Sequence, residues 1–114
     1  MKPKIAISIG DLNGIGIEIA LRTHEKISQY CDPIYCISNK MLKRAANELK
    51  LEIPQDFVTT KVKGEHEIKA GVVTRKAGKY SFDSFMEAIT LADKGEVDAV
   101  CTLPINKESW SKAD

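Results

Sequence analysis

The residues best suited to chemistry lie in a glycine-rich turn, GDLNGIG, at positions 10–16. The turn follows a strand-like run and precedes a helical pattern, and open α/β sheets bind ligands at that edge, outside the carboxyl ends of the strands. Glycines let a ligand approach the backbone, and free amides at a helix start favour an anion. The spacing matches neither a Walker loop nor the dinucleotide fingerprint. Two interpretations stay open: a tight turn in which Asn13 caps the helix, or a substrate or cofactor site formed by Asp11, Asn13, Gly14 and Gly16.

A second candidate site follows the last predicted strand, VDAVCTLP, at positions 97–104. Pro104 ends this strand, and Asn106 and Lys107 then follow at the same carboxyl edge as the glycine turn. A lysine there can pair with a phosphate or a carboxylate. The alternative is a solvated lysine in the first turn of a helix that Asn106 caps, although a cation at a helix start opposes the helix dipole. We expect Asp11 and Lys107 to lie at one edge of the sheet.

The histidines and cysteines do not follow a metal-binding pattern. His24 lies on the rim of the apolar stripe of the first predicted helix, which indicates a packed, hydrogen-bonded side chain. His66 lies among glutamates and lysines, and we expect it to be solvated. Three cysteines without a Cys-x-x-Cys pair argue against both a disulfide framework and a zinc site. We therefore expect free thiols and no metal ligand in this segment.

Strand-like and helical segments alternate along the chain and supply the frame for these sites. A helix is predicted after the glycine turn, another is predicted to begin at Ser38 or Asn39, and a third occupies residues 81–94, before Gly95 as its C-terminal cap. A fourth, cut short by the chain end, would follow Asn106. This alternation predicts an α/β fold, a three-layer αβα arrangement around a mostly parallel sheet with right-handed crossovers. The predicted strands cover residues 4–10, 33–38, 56–62 and 97–104.

Residues 63–79 are charged and interrupted by glycines, and we expect them to be irregular. The helix that follows carries an apolar stripe that one small sheet is not expected to cover fully. Trp110 is predicted to anchor either the last helix or structure outside the segment. Because large apolar patches mark partner surfaces, we expect the isolated segment to self-associate near Trp110. The stripe consists of Phe82, Phe85, Met86, Ile89 and Ala92.

Composition excludes several classes of function. The chain has 114 residues, which is about one domain, and its 17 basic and 16 acidic residues leave a net charge of +1. Such a balance gives no general attraction for nucleic acid or for an anionic membrane. The apolar runs are too short to span a bilayer, and the start lacks the features of a signal peptide, so we expect a cytoplasmic protein.

Three stretches match the motifs of one enzyme family, in the same order. The first is GDLNGIGIE after the opening strand, the second is IKAGVVTRKAGKYSFDSF, and the third is DAVCTLPINKESW. Together they resemble the G-D-x-x-G-I-G-P-E opening, the A-G…G-x-Y segment and the P-x-x-K strand end of the 4-hydroxythreonine-4-phosphate dehydrogenases of vitamin B6 biosynthesis. The matches span most of the chain except residues 50–66.

The sequence also departs from the pattern of that family. Ile17 replaces the common proline after G-I-G, Leu12 and Asn13 replace a usual Pro-Ala, and Leu103 replaces glycine. The changes at Leu12, Asn13 and Leu103 would alter the loop geometry near a ligand. Family members are several times longer, and their G-H-T segment and three metal-binding histidines lie beyond the point that matches Asp114. Neither His24 nor His66 matches one of those histidines.

The resemblance implies an NAD-dependent oxidation and decarboxylation of a small phosphorylated substrate, 4-phosphohydroxy-threonine, assisted by zinc, magnesium or cobalt in a homodimer. Residues 1–114 would form the N-terminal part of the α/β dehydrogenase domain, incomplete relative to the full-length family, with the catalytic remainder absent. We therefore expect no catalytic residue here and no activity from the segment alone. The alternatives are a non-catalytic phosphate- or nucleotide-binding α/β module and a structural remnant.

Overall fold

Strands and helices alternate in the computed structural model of the chain, which describes residues 2–113. The α/β class predicted from the sequence is confirmed. The strands are β1 (Lys4–Ser8), β2 (Asp32–Cys36), β3 (Val58–Thr59) and β4 (Ala99–Thr102), and the helices are α1 (Gly16–Ile27), α2 (Asn39–Leu49), α3 (Arg75–Asp93) and α4 (Lys107–Ala113).

The sheet has the strand order β3-β2-β1-β4, and all neighbouring strands pair in parallel. Ser8 at the end of β1 lies opposite Cys36 on one side and Thr102 on the other. The chain moves outward from β1 through α1 and α2 to β3, and it returns through α3 to β4. Right-handed crossovers in these opposite directions place α1 and α2 on one face and α3 on the other, which gives the predicted three layers.

The largest differences from the predicted boundaries concern β3 and α3, and β1, β2 and β4 each cover fewer residues than predicted. The third strand pairs only at Val58 and Thr59 rather than along residues 56–62. Helix α3 begins at Arg75, six residues before the predicted start, because the hydroxyl of Thr74 accepts a hydrogen bond from the amide of Ala77 at 3.1 Å. Two predicted caps are confirmed here: Ser38 caps α2, and Gly95 follows α3 with a φ of 75°. No helix among residues 2–113 has the length and apolarity needed to cross a membrane.

Helix α3 packs on the sheet through small residues rather than through its aromatic stripe. Ser81, Ser84 and Ala88 are buried, and the Ser84 hydroxyl accepts a hydrogen bond from the amide of Ile9 and donates one to the carbonyl of Cys36. Small side chains let the helix approach β1 and β2 closely. The stripe is left largely uncovered, as expected from the sequence, with Phe82, Met86 and Ile89 exposed. The self-association expected from that exposure stays a prediction.

The opposite face of the sheet buries a polar chain. His24 of α1 is 1% exposed, with its Nδ1 at 2.8 Å from the hydroxyl of Tyr35 and its Nε2 at 3.0 Å from a carboxylate oxygen of Asp56. Tyr35 also stacks on Phe57, with ring centroids 3.8 Å apart. Burial raises the pKa of Tyr35, so its hydroxyl stays protonated at neutral pH. The predicted packed, hydrogen-bonded role of His24 is confirmed.

Candidate functional site

The glycine turn is closed by its own hydrogen bonds. The amide of Asp11 donates to the carbonyl of Pro104 at 2.9 Å, and the Asp11 carboxylate accepts from the amide of Asn13 at 3.0 Å. The amide of Gly14 donates to the carbonyl of Asp11 at 2.9 Å. Several amides that the sequence offered to an anion are therefore used inside the turn. Asp11 itself is buried.

Asn13 does not cap α1, so that part of the sequence interpretation is wrong. Helix α1 begins after Ile15 without a side-chain cap. The Asn13 side chain instead accepts a hydrogen bond from the amide of Lys69 at 2.8 Å and donates one to the carbonyl of Val72 at 2.9 Å. Its own carbonyl accepts from the amide of Gly71 at 2.7 Å. Asn13 thus ties the glycine turn to a loop almost sixty residues away.

The glycines of the turn make room for the chain itself. Gly10 has a φ of +70°, and a Cβ added there would lie 2.3 Å from the carbonyl oxygen of Pro104. A Cβ at Gly16 would lie 3.0 Å from the Cβ of Leu103. Both positions are needed so that the turn can pack against the segment that leaves β4. Gly14 is exposed and lies over Asp11, where a Cβ would be 3.3 Å from its carbonyl oxygen.

The predicted edge is confirmed, because Asp11 follows β1, Lys107 follows β4, and these two strands are parallel neighbours. Asn106 caps α4, since its side-chain oxygen accepts a hydrogen bond from the amide of Ser109 at 2.9 Å. Lys107 is exposed. Of the six candidate residues, Lys107 is the one with a free charge and no structural task in residues 2–113.

Lys107 borders an open groove of about 610 Å³ between α3 and α4, which we call the Lys107 groove. No residue of the glycine turn lies in its lining within the described part of the chain, so the two candidate regions share an edge but not a cavity. Arg75 and Lys107 have no carboxylate within 4 Å among residues 2–113, whereas Lys79 pairs with Asp83 at 3.1 Å. The lining consists of Arg75, Lys79, Phe82, Asp83, Lys107, Trp110, Ser111 and Ala113.

Trp110 fixes the aromatic side of the Lys107 groove. Its indole N–H donates to the hydroxyl of Ser81 at 2.9 Å, and its ring meets Phe82 edge to face with centroids 5.3 Å apart. Helix α4 lies against α3 at Gly78, where an added Cβ would be 1.9 Å from the carbonyl oxygen of Ser109. The predicted anchoring role of Trp110 is confirmed. This contact holds Lys107 near the first turns of α3.

A second groove, of about 890 Å³, lies on the other flank of α3, between residues 61–65 and the helix from Arg75 to Thr90. We call it the Lys61 groove. Glu65 on its loop side binds Lys40 and, at 3.3 Å, Arg44. The hydrogen bond from the Lys40 ammonium lowers the pKa of Glu65, so this carboxylate stays charged and holds the loop against α2.

His66 is buried rather than solvated, contrary to the sequence prediction. It is 4% exposed, and its ring lies edge-on to Tyr80 with centroids 5.8 Å apart. Arg44 donates to its backbone carbonyl at 3.1 Å, and its Nδ1 lies 2.9 Å from the carbonyl of Glu67. The loop thus folds between α2 and α3, which a local pattern of charged residues does not reveal. Among residues 2–113, no three His, Cys, Asp or Glu side chains come together as metal ligands.

The cysteines are free thiols in the described structure. Burial raises the pKa of Cys36 to about 11, and burial also raises the pKa of Cys31. Both thiols therefore stay protonated at neutral pH and are poor nucleophiles. Cys101 on β4 is exposed.

Sequence reasoning missed Arg75 as a neighbour of Lys107. The available signal was the run RKAGK at positions 75–79, which places three cations and no acidic residue in the first turns of a helix. Cations at that end oppose the helix dipole. Because Gly78 interrupts the run, the sequence predicts an irregular segment there and no helical face.

The chain is similar in sequence to proteins of one enzyme family. The proteins named 4-hydroxythreonine-4-phosphate dehydrogenase from Sulfurimonas denitrificans and Campylobacter fetus subsp. fetus are 49% and 51% identical to this chain over 112 and 111 residues. Those alignments cover 98% and 97% of this chain but 36% of each relative. The chain thus spans little more than a third of the length of the curated relatives it matches.

A solved structure and a family model extend the comparison. The crystal structure of a 4-hydroxythreonine-4-phosphate dehydrogenase from Burkholderia phymatum matches 98% of this chain and 39% of its own with a TM-score of 0.81. At 24% identity, that likeness concerns the fold alone. The model of the family described as pyridoxal phosphate biosynthetic protein PdxA matches residues 29–114, well over half of the sequence. The chain belongs to the family of the pyridoxal phosphate biosynthetic protein PdxA.

Proposed function

We propose that this chain is the N-terminal segment of an NAD-dependent, metal-assisted 4-hydroxythreonine-4-phosphate dehydrogenase of pyridoxal phosphate biosynthesis. The observation that carries the proposal is an identity of 49% and 51%, over nearly the whole chain, to two proteins of that name. Residues 1–114 would be the first part of the α/β dehydrogenase domain. We place the complete enzyme in the cytoplasm as a homodimer.

The divalent metal of this reaction does not fit the described residues, because no three potential ligands converge among residues 2–113. We therefore assign no metal ligand and no catalytic residue to the segment, and the 114-residue chain alone is expected not to reduce NAD. When NAD is bound to the complete enzyme, it accepts the hydride. The contribution of this segment is to bind and orient the substrate.

We assign the substrate phosphate to the Lys107 groove. Arg75 and Lys107 have no carboxylate partner in residues 2–113, and two cations match the charge of one phosphate dianion. Trp110 and Phe82 cover the same groove with aromatic surface. Removal of water by such surface strengthens an ion pair between the phosphate and the two cations.

The other candidate residues take positioning roles in this proposal. The amide of Asp11 holds Pro104, and Asn106 caps α4, so both fix the segment that presents Lys107. Asn13, Gly14 and Gly16 maintain the turn that packs against that segment. Their replacement would disturb Lys107 indirectly, without removing a contact to the substrate.

A chimera tests the proposal. Residues 1–114 replace the matching segment of the Sulfurimonas denitrificans relative, and NADH formation from 4-hydroxythreonine 4-phosphate is measured. We expect an active chimera. Lys107→Ala should raise KM by about 10- to 100-fold, because one charge-assisted hydrogen bond is lost, with a much smaller change in kcat.

The matched control is Lys112→Ala on the same helix, whose ammonium pairs with Glu108 at 3.7 Å and lies outside the groove lining. This variant should leave KM within about twofold, as expected for an exposed ion pair. A folded chimera without activity would contradict the proposed function. Equal KM values for the two variants would contradict the phosphate assignment alone.

A further inference from the structure

The Lys61 groove carries more positive charge than its own residues neutralise. Its loop side contributes Lys61 and Lys63, and the start of α3 contributes Arg75 and Lys76. None of these four has a carboxylate within 4 Å among residues 2–113. Glu87, also in the lining, has no cation within that distance in the same part of the chain. Four cations therefore face one carboxylate across a concave surface.

The remaining acidic groups of the groove are already engaged. Asp83 pairs with Lys79 at 3.1 Å, and Glu65 pairs with Lys40 and Arg44 of α2. These pairs leave the four free cations without local compensation. Like charges held around a groove repel one another and raise the local concentration of anions.

The groove also has an apolar floor. Val62 and the ring of Tyr80 are buried beneath it, and Met86 contributes a side chain that is 43% exposed. Methionine is polarizable and adapts to aromatic surfaces. A volume of about 890 Å³ is ample for a ligand of nucleotide size. Charge at the rim and apolar surface at the floor require a ligand with both properties.

We infer that the Lys61 groove binds a diphosphate attached to an aromatic body, the chemistry of a nucleoside diphosphate. Two phosphates use the four cations, and the aromatic base lies on Met86. The site lies on the other flank of α3 from Lys107 and shares Arg75 with the Lys107 groove. Its binding does not depend on the dehydrogenase activity proposed above. Free nucleotides and dinucleotides share this chemistry, so the experiment includes both.

Isothermal titration calorimetry of the purified chain with ADP, NAD and inorganic pyrophosphate tests the inference. We expect saturable binding of ADP with pyrophosphate at least about tenfold weaker, because pyrophosphate cannot use the apolar floor. Equal binding of NAD and ADP would identify the diphosphate of a dinucleotide as the ligand, whereas binding of ADP alone would identify a free nucleotide. Absence of saturable ADP binding up to millimolar concentration would overturn the inference.

Two double variants distinguish ADP binding in the groove from a general attraction of ADP to the net charge of the chain. The double variant Lys61→Ala/Lys76→Ala should weaken ADP binding by at least about tenfold. The double variant Lys26→Ala/Lys43→Ala removes the same charge from exposed positions of α1 and α2, outside the groove, and should change it less than about twofold. Equal losses in both would show that the affinity comes from net charge, which overturns the site. All four lysines are exposed, so both variants should keep the fold.

Discussion

The glycine turn and the start of α3 both follow patterns that can bind an anion, but they use their polar groups differently. In the turn, the Asp11 carboxylate and the Asn13 amide are bonded to the chain. At the start of α3, Arg75 and Lys76 have no ion pair among residues 2–113. The polar groups of the glycine turn are therefore structural, and those at the start of α3, which the sequence predicts to be irregular, are available to a ligand.

The difference shows that a glycine-rich motif at the carboxyl edge of a sheet can serve the packing of the chain on itself. Glycines serve equally for ligand approach and for close packing of the chain on itself. The atoms nearest an added Cβ at Gly10 and Gly16, which belong to Leu103 and Pro104, show that these two glycines serve close packing. Substitutions should accordingly be costly to stability in the turn and nearly harmless at the grooves.

The largest effect is expected for Gly10→Ala. The new methyl group meets the carbonyl oxygen of Pro104 in a backbone that also has positive φ, so we expect a loss of about 4 kcal/mol or more in the free energy of unfolding. Gly95→Ala is the matched control, because Gly95 has a φ of +75° but nothing within 4 Å of an added Cβ. It should cost about 1–2 kcal/mol. Equal losses in urea unfolding would show that the close contact is unimportant.

A smaller effect is expected for Asn13→Ala. This change removes two hydrogen bonds to the loop at Lys69 and Val72, for a loss of about 2–3 kcal/mol in unfolding free energy. Hydrogen exchange at the amide of Gly71 should become faster, because that loop is no longer held. Asn47→Ala, at an exposed position of α2, should change stability by no more than about 0.5 kcal/mol. An unchanged exchange rate at Gly71 would show that Asn13 does not hold this loop in place.

The smallest effect concerns Glu65 at the Lys61 groove. The pKa of Glu65 is lowered in the folded chain, so its stabilising contribution is present above its ordinary value of 4.5 and is lost as the pH falls through the folded value. Glu65→Gln should therefore shift the urea midpoint slightly downward at pH 7 and not at pH 3. Glu48→Gln, an exposed residue of α2, should show no such pH dependence. A shift that persists at pH 3 would exclude the ion pairs as its cause.

Much of the fold could be predicted from the sequence because it depends on local patterns. The apolar run of β1 and the caps at Ser38, Gly95 and Asn106 each act within a few residues. The shared edge of Asp11 and Lys107 was predictable because the carboxyl ends of parallel strands meet at one edge of a sheet. These features require no knowledge of distant contacts.

The remaining features depend on contacts between distant residues. Asparagine is a common helix cap, but the side chain of Asn13 forms hydrogen bonds with residues 56 and 59 positions away. His66 is surrounded by charged residues in sequence and by Arg44 and Tyr80 in space. The early start of α3 was hidden because a basic, glycine-containing run resembles a loop until Thr74 caps it.

The position of β1 has a consequence for the order of assembly. One edge of β1 pairs with β2, where Lys4 lies opposite Asp32. The other edge pairs with β4, where Ile5 lies opposite Ala99, and β4 is synthesised much later. Closing so long a loop is slow, because the entropy of the intervening chain is lost before the pairing stabilises it. At a synthesis rate of about 5–20 residues per second, one edge of β1 stays open for roughly 5–20 s after the strand is made. The first strand to leave the ribosome is thus the last to receive both neighbours, and until then its unpaired edge can pair with another nascent chain.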